Sequence, residues 1–172
     1  MKPLPPFNFQ QWIDAHRDLL KPPVCNQQVF ADGEFIVMVV GGPNSRSDFH
    51  YDVGPEFFYQ LEGDMILHTM QDNQRVDYPL SAGDIFMLPP GIPHSPRRFE
   101  NSVGLVIERQ RKPHEKDGFM WFCENCDALL YEEYLHIANI VDDLPPVFDR
   151  FYGNEEFRHC GNCHTVMAVP GT

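Results

Sequence analysis

From Val29 to Pro113 the chain is a succession of short runs rich in Val, Ile, Phe and Tyr, each closed by turn chemistry at Gly41-Gly42-Pro43, Asp72-Asn73 or Ala82-Gly83-Asp84. β-Branched and aromatic residues fit a pleated, half-buried surface, and the Gly, Pro, Asn and Asp clusters supply the dihedrals that tight reversals need. Strands are expected at Phe35–Val40, Phe57–Met70 with an interruption at Glu62-Gly63-Asp64, Arg75–Leu80, Ile85–Leu88 and Val103–Arg109. Regular short strands without intervening helices favour an antiparallel sandwich or barrel. Ahead of them Asn8 is placed to cap a helix whose stripe is Phe9, Trp12, Ile13, Leu19 and Leu20, with Gln11 as a weak capping-box partner and Lys21-Pro22-Pro23 ending it.

Two runs inside this β region carry chemistry. The first is His50-Tyr51-Asp52-Val53-Gly54-Pro55-Glu56, with Gly63 seven residues beyond the glutamate; the second is Gly83-Asp84-Ile85-Phe86-Met87-Leu88-Pro89-Pro90-Gly91-Ile92-Pro93-His94. A lone strand histidine is more often a surface or hydrogen-bonded core residue than a ligand. Two spaced motifs together propose His50, Glu56 and His94 as one metal site, since two imidazoles and a carboxylate on one side of an octahedral ion leave open positions, as in non-heme Fe(II) oxygenases. The spacing resembles the paired signatures of the cupin superfamily: Gly63, Gly83, Pro89, Gly91 and His94 all fall at family stations. That resemblance implies a mainly β fold, a cupin barrel of the jelly-roll or double-stranded β-helix type, with the N-terminal helix outside it and a metal-stapled extension behind it. One departure is Asp52, where cupins often carry the second histidine of His-x-His; it turns a three-histidine, one-glutamate site into two histidines and one carboxylate.

At 172 residues the chain is one domain's worth. Its formal net charge of −12 disfavours nucleic acid and anionic membranes as partners, because both repel an acidic surface. No secretory apolar region opens it and no apolar run approaches the roughly 18 residues of a membrane span, so a cytoplasmic protein is expected. The polar stretch Lys112–Asp117 suggests a division into residues 1–117, the helix and barrel, and 118–172, a C-terminal extension.

The extension holds a second metal signal, Cys123-Glu124-Asn125-Cys126 and Cys160-Gly161-Asn162-Cys163. Each CxxC places two thiolates close together, and two such knuckles suit a tetrahedral ion. Two disulfides are disfavoured without a secretory signal, and a redox CxxC would not require a partner pair. Four thiolates leave no open position, so the site is expected to staple the extension as structural Zn or a rubredoxin-like Fe, a choice the ligand set does not make. Cys25 is left over, with no role assigned.

Arg46 lies four residues before His50, and Arg98 four residues after His94. In extended structure such residues share a face, so both arginines are expected in the barrel mouth, where they imply an anionic substrate, most naturally a carboxylate gripped bidentately. Arg97, of opposite parity, is the better candidate for a solvated strand-end residue. Glu108 ends an apolar run and is equally a water-facing strand end or a pocket residue on spacing alone.

The set Arg46, His50, Glu56, His94, Arg98 and Glu108, together with the paired CxxC tail and the phrases Leu88-Pro89-Pro90 and Val106-Ile107-Glu108-Arg109-Gln110, resembles the small 3-hydroxyanthranilate 3,4-dioxygenases over nearly the whole chain. The resemblance implies Fe(II) on His50, Glu56 and His94, Arg46 and Arg98 on the substrate carboxylate, and Glu108 on the polar ring substituents. It further implies a noncatalytic iron on Cys123, Cys126, Cys160 and Cys163, a homodimer, and conversion of 3-hydroxyanthranilate and O2 to 2-amino-3-carboxymuconate semialdehyde on the route from tryptophan through kynurenine to quinolinate and NAD. The alternatives are another metal-dependent cupin dioxygenase with the same triad, or a noncatalytic small-molecule-binding cupin whose tail is an interaction module.

Overall fold

The computed structural model describes residues 5–22, 25–44, 46–137 and 140–170, with backbone alone for 140–142. Asn8 caps helix α1 (Phe9–His16) as expected, its side-chain oxygen accepting the Gln11 N–H at 2.9 Å. A 3-10 turn over Arg17–Leu20 prolongs it, while Pro23 lies outside the described residues. Ile13 and Leu20 are buried against Val39 and Val103, which fixes the helix on the barrel wall.

Eleven strands follow: β1 (Asn26–Gln28), β2 (Phe35–Gly41), β3 (Phe49–Tyr51), β4 (Glu56–Glu62), β5 (Met65–Gln71), β6 (Gln74–Leu80), β7 (Ile85–Leu88), β8 (His94–Arg98), β9 (Val103–Arg109), β10 (Asp117–Phe122) and β11 (Leu129–Leu135). They form a five-stranded sheet, β1-β2-β9-β4-β7, and a six-stranded sheet, β11-β10-β3-β8-β5-β6. The described pairings are antiparallel. The expected interruption at Glu62-Gly63-Asp64 is a reversal between β4 and β5, with Gly63 at φ +64°. Asp72 and Asn73 both have positive φ, the signature of the two-residue hairpin that joins β5 to β6.

Phe58, Met65, Leu67, Leu80, Leu88 and Val106 fill the barrel interior. A second core, Phe119, Trp121, Leu144, Val147, Phe151 and Met167, seats helix α2 (Ile140–Tyr152) on β10, where the Trp121 and Phe151 rings stack at 4.3 Å. A short helix α3 (Glu155–Arg158) leads to the second cysteine pair. The boundary expected near residue 117 coincides with the start of β10. That strand pairs with β3, so residues 118–135 continue the sheet that carries His50.

Candidate active site

The two sheets bring the candidate ligands face to face. On the six-stranded sheet His50 and His94 stand directly opposite each other across β3 and β8, ring centroids 5.4 Å apart. On the five-stranded sheet Glu56 opens β4 and is in register with Glu108 of β9. Strand alternation turns all four side chains inward.

Each imidazole is oriented by its outer nitrogen. His94 Nδ1 donates to the Ile92 carbonyl at 3.1 Å, so its Nε2 lone pair faces Glu56 Oε1 at 3.0 Å. His50 Nε2 donates to Asp117 Oδ2 at 3.0 Å, and its Nδ1 lies 3.6 Å from the same Glu56 oxygen. Glu56 Oε1 is buried and accepts no hydrogen bond. Two nitrogen lone pairs and a carboxylate oxygen converging in a buried space repel one another unless a cation or proton lies between them. The donor set therefore fits a metal ion. Burial alone would push the Glu56 carboxyl up, but His94 and His50 outweigh it and hold it at about 2. Burial likewise pushes His94 down, and Glu56 reverses that to leave it raised. A proton on His94 is the ion's competitor.

Three buried carboxylates, Asp52, Glu56 and Glu108, each bring an oxygen within 4.8 Å of the others. Asp52, standing where cupins often have histidine, accepts the Gly54 N–H at 2.7 Å and pairs with Arg111 at 3.1 Å. Glu108 is buried beside Glu56, with Arg111 Nη1 donating to it at 2.6 Å. Burial raises its carboxyl despite Arg111. The open choice for Glu108 between water and interior falls to the interior.

The two predicted arginines are placed differently. Arg98 is 3% exposed, its Nη1 donates to Gln60 Oε1 at 3.2 Å, and its Nε is buried without a partner. Gln60 and Gly104 are in register with each other, four residues along β4 and β9 from Glu56 and Glu108. Arg98 thus belongs to a second storey of the same interior, and the shared-face argument holds for it. A Cβ on Gly104 would stand 2.5 Å from Arg98 Nη1, which is why glycine is needed there. With no charged partner, burial pulls Arg98 down to about 10.

Arg46 precedes β3 and lies outside strand structure, so alternation does not set its direction. Its Nε donates to buried Asp48 at 2.9 Å and its guanidinium lies 5.2 Å from the Phe148 ring, beside a cavity of about 140 Å³ that Tyr152 and Pro170 also line. Among the described residues no hydrogen bond or ion pair joins either arginine to His50, Glu56, His94 or Glu108. Arg97 is half-buried on the opposite parity.

Two site residues escaped the sequence reading. Arg111 pairs with Asp52, Glu108 and Asp117 at 3.1, 2.6 and 3.0 Å, and Asp117 carries His50. Both lie in or beside the Lys112–Asp117 stretch, whose polarity reads as a linker. The only local clue is that Asp117 directly precedes an apolar run.

At the far end of β10 the four cysteines gather. Cys123 and Cys163 sulfurs are 3.4 Å apart, Cys126 and Cys160 3.6 Å, and all four are free thiols. Each knuckle closes alike: Asp127 N–H donates to the Cys123 carbonyl and His164 N–H to the Cys160 carbonyl, both at 2.9 Å, with positive φ at Asp127 and His164. Hydrogen bonding from Thr165 and Asn125 draws Cys163 down to about 5, whereas burial pushes Cys123 up to about 12. Four clustered sulfurs fit a closed tetrahedral ion. Cys25 is half-buried at φ +60°, its sulfur 3.6 Å from the Pro43 carbonyl.

A two-sheet antiparallel barrel with two histidines and a glutamate inside it defines a metal-dependent cupin. The chain belongs to the 3-hydroxyanthranilic acid dioxygenase family, whose profile matches residues 1–152. It is 52% identical to the 3-hydroxyanthranilate 3,4-dioxygenase of Xanthomonas campestris pv. campestris, covering 97% of this chain and 94% of that one. The enzyme of the same name from Paraburkholderia phytofirmans is 55% identical over 94% of this chain and 93% of that protein. Among solved structures, protein NMB1881 from Neisseria meningitidis shares the fold alone, with a TM-score of 0.50 and 17% identity over 62% of this chain and all of that one. No helix among the described residues is long and apolar enough to cross a membrane.

Proposed function

We propose that the chain opens the ring of 3-hydroxyanthranilate with O2, both oxygen atoms entering 2-amino-3-carboxymuconate semialdehyde, in tryptophan catabolism through kynurenine towards quinolinate and NAD. The observation that carries this reading is the convergence of His50 Nδ1, His94 Nε2 and Glu56 Oε1 beside Glu108, in a chain of this family. Fe(II) on these three groups supplies the electron conduit that lifts the spin barrier between triplet O2 and a closed-shell ring.

The chain's own residues bind and orient. Arg98, buried with one neutral partner and an unmet Nε, is an anion host, and with Arg46 it holds the substrate carboxylate. Glu108, raised by burial, accepts a proton from the substrate's hydroxyl or amino group and so enriches the ring in electrons. The apolar walls Phe58, Leu88 and Val106 exclude water from the reacting centre.

Oxygen uptake by Fe(II)-loaded protein, offered 3-hydroxyanthranilate, homogentisate and cysteine in turn, tests the proposal. Uptake is expected with the first alone. Uptake with another substrate assigns the triad to a different cupin dioxygenase, and uptake with none leaves a binding protein.

The four-cysteine site holds structural Fe or Zn in this reading. Replacing Cys160 with serine is expected to release that ion and lower the thermal midpoint, because metal binding is coupled to folding, while turnover per folded molecule largely survives. Metal analysis alongside a melting curve checks it; loss of chemistry with the fold intact would assign the site a catalytic part. Free thiols held as metal ligands suit a reducing compartment, which supports a cytoplasmic location. Exposed Phe35, Ile85 and Met87 on the five-stranded sheet support a homodimer.

A further inference from the structure

We propose that Asp117 is the positioning residue that selects which nitrogen of His50 faces the metal, and that Arg111 holds Asp117 in the orientation that makes the selection. The inference rests on His50 being a metal ligand and extends it to residues outside the ligand set.

Three contacts fix the His50 ring. Phe119, opposite it in register, stacks on the imidazole at 5.4 Å with planes 20° apart, which sets the plane of the ring. Asp117 Oδ2 meets Nε2 at 3.0 Å, which sets its rotation. Nδ1 is thereby left towards Glu56 Oε1. Stacking alone would leave the proton free to sit on either nitrogen.

Asp117 decides the proton's place because it has none to give. Arg111 Nε donates to both of its oxygens at 3.1 and 3.0 Å, and Arg111 Nη2 lies 3.0 Å from Oδ2. A carboxylate between such donors is an acceptor only, so His50 Nε2 must carry the hydrogen, and the neutral ring then presents a lone pair at Nδ1. A ligating histidine commonly hands its other N–H to a carboxylate in this way, which fixes tautomer and orientation. Arg111 is 11% exposed on its side chain and bridges Asp117, Glu108 and Asp52, so the clamp is tied to the carboxylates that surround the triad.

Asparagine at position 117 has the same shape and the opposite effect. Its carbonyl must turn to the Arg111 N–H groups, because its amide nitrogen cannot face a guanidinium. The amide N–H2 then falls against His50 Nε2, which becomes an acceptor, and the ring proton moves to Nδ1, where it blocks the metal. Asp117→Glu keeps a charged acceptor and is the conservative rescue.

The test compares wild type, D117N and D117E with the four-cysteine site filled. Imidazole 15N–1H correlation spectra of protein lacking the second metal, recorded with the rings neutral, report the His50 tautomer. Anaerobic competition for Fe(II) against a chelator reports affinity at the triad. The expected result is an Nε2–H tautomer in wild type and D117E and an Nδ1–H tautomer in D117N, with Fe(II) affinity of D117N about tenfold to a hundredfold lower and its thermal midpoint before Fe(II) addition close to wild type. An unchanged tautomer in D117N, or a switched tautomer with unchanged affinity, overturns the proposal. If D117N does not fold, Asp117→Ala takes its place: it removes the acceptor without adding a donor and should give both tautomers, and a single Nε2–H species there overturns the proposal as well. Wild type that binds no Fe(II) at the triad would instead remove the proposed function.

Discussion

Replacing His94 with alanine is expected to abolish both bound iron at the triad and turnover, with the four-cysteine metal retained. His94 is 3% exposed, and its Nε2 faces Glu56 Oε1 at 3.0 Å, so the substitution takes one of three ligands from a site with no described histidine or cysteine in reserve. It also leaves the buried Glu56 carboxylate short of its nearest counter-charge, which an ion held by His50 and Glu56 alone cannot make good in a weakened geometry. Iron analysis of the purified variant together with oxygen uptake decides the matter; a fully active His94→Ala protein would end the metal hypothesis. Calcium and magnesium should not restore wild type stripped of iron, because two imidazole nitrogens do not match the all-oxygen shell these ions prefer.

Truncating Arg98 to alanine should cost on the order of 2–5 kcal/mol in apparent transition-state binding of 3-hydroxyanthranilate, the range for leaving a buried charge without its partner. The loss appears in KM if the carboxylate grip is the same in ground and transition states, and also in kcat if the grip orients the ring for reaction. Arg98 has a structural part too, since it donates to Gln60 and fills the space beside Gly104. A 2-aminophenol without the carboxylate separates the two. Wild type should handle it poorly, and Arg98→Ala should penalise it much less than the full substrate. Measuring kcat/KM for both substrates in both proteins closes a double cycle. Equal penalties would confine Arg98 to packing and remove the main physical support for the substrate assignment.

The strands that sequence reading found are those whose alternation is apolar, such as β2, β4, β5 and β9. The ones it missed fail for identifiable reasons. β3 and β8 place His50, His94 and Arg98 at inward positions that a core strand would give to Val or Ile, so their period-two pattern is polar where it should be apolar. In β10 all six residues are buried, so no alternation marks it, and its lead-in resembles a linker. Pro145 and Pro146 obscure α2, which is held by packing on Trp121 and its neighbours rather than by propensity.

The same division runs through the site. The triad was legible because turn geometry makes each half of it local: the reversal between β3 and β4 and the Pro-Pro-Gly bend before β8 deliver His50, Glu56 and His94 at set spacings, and a CxxC knuckle is likewise complete within a few residues. Parity carried from His94 to Arg98 because β8 is continuous between them, and failed for Arg46 because β3 begins only at Phe49. Asp117 on His50, and Arg111 on Asp52 and Asp117, join positions far apart or on opposite sides of a polar loop, so no periodicity announces them. Spacing along the chain determined which residues can ligate. Which nitrogen each histidine presents, which carboxylate an arginine neutralises and which arginine is left unpaired were decided only when two sheets closed around them, because burial and counter-charge are properties of the packed interior.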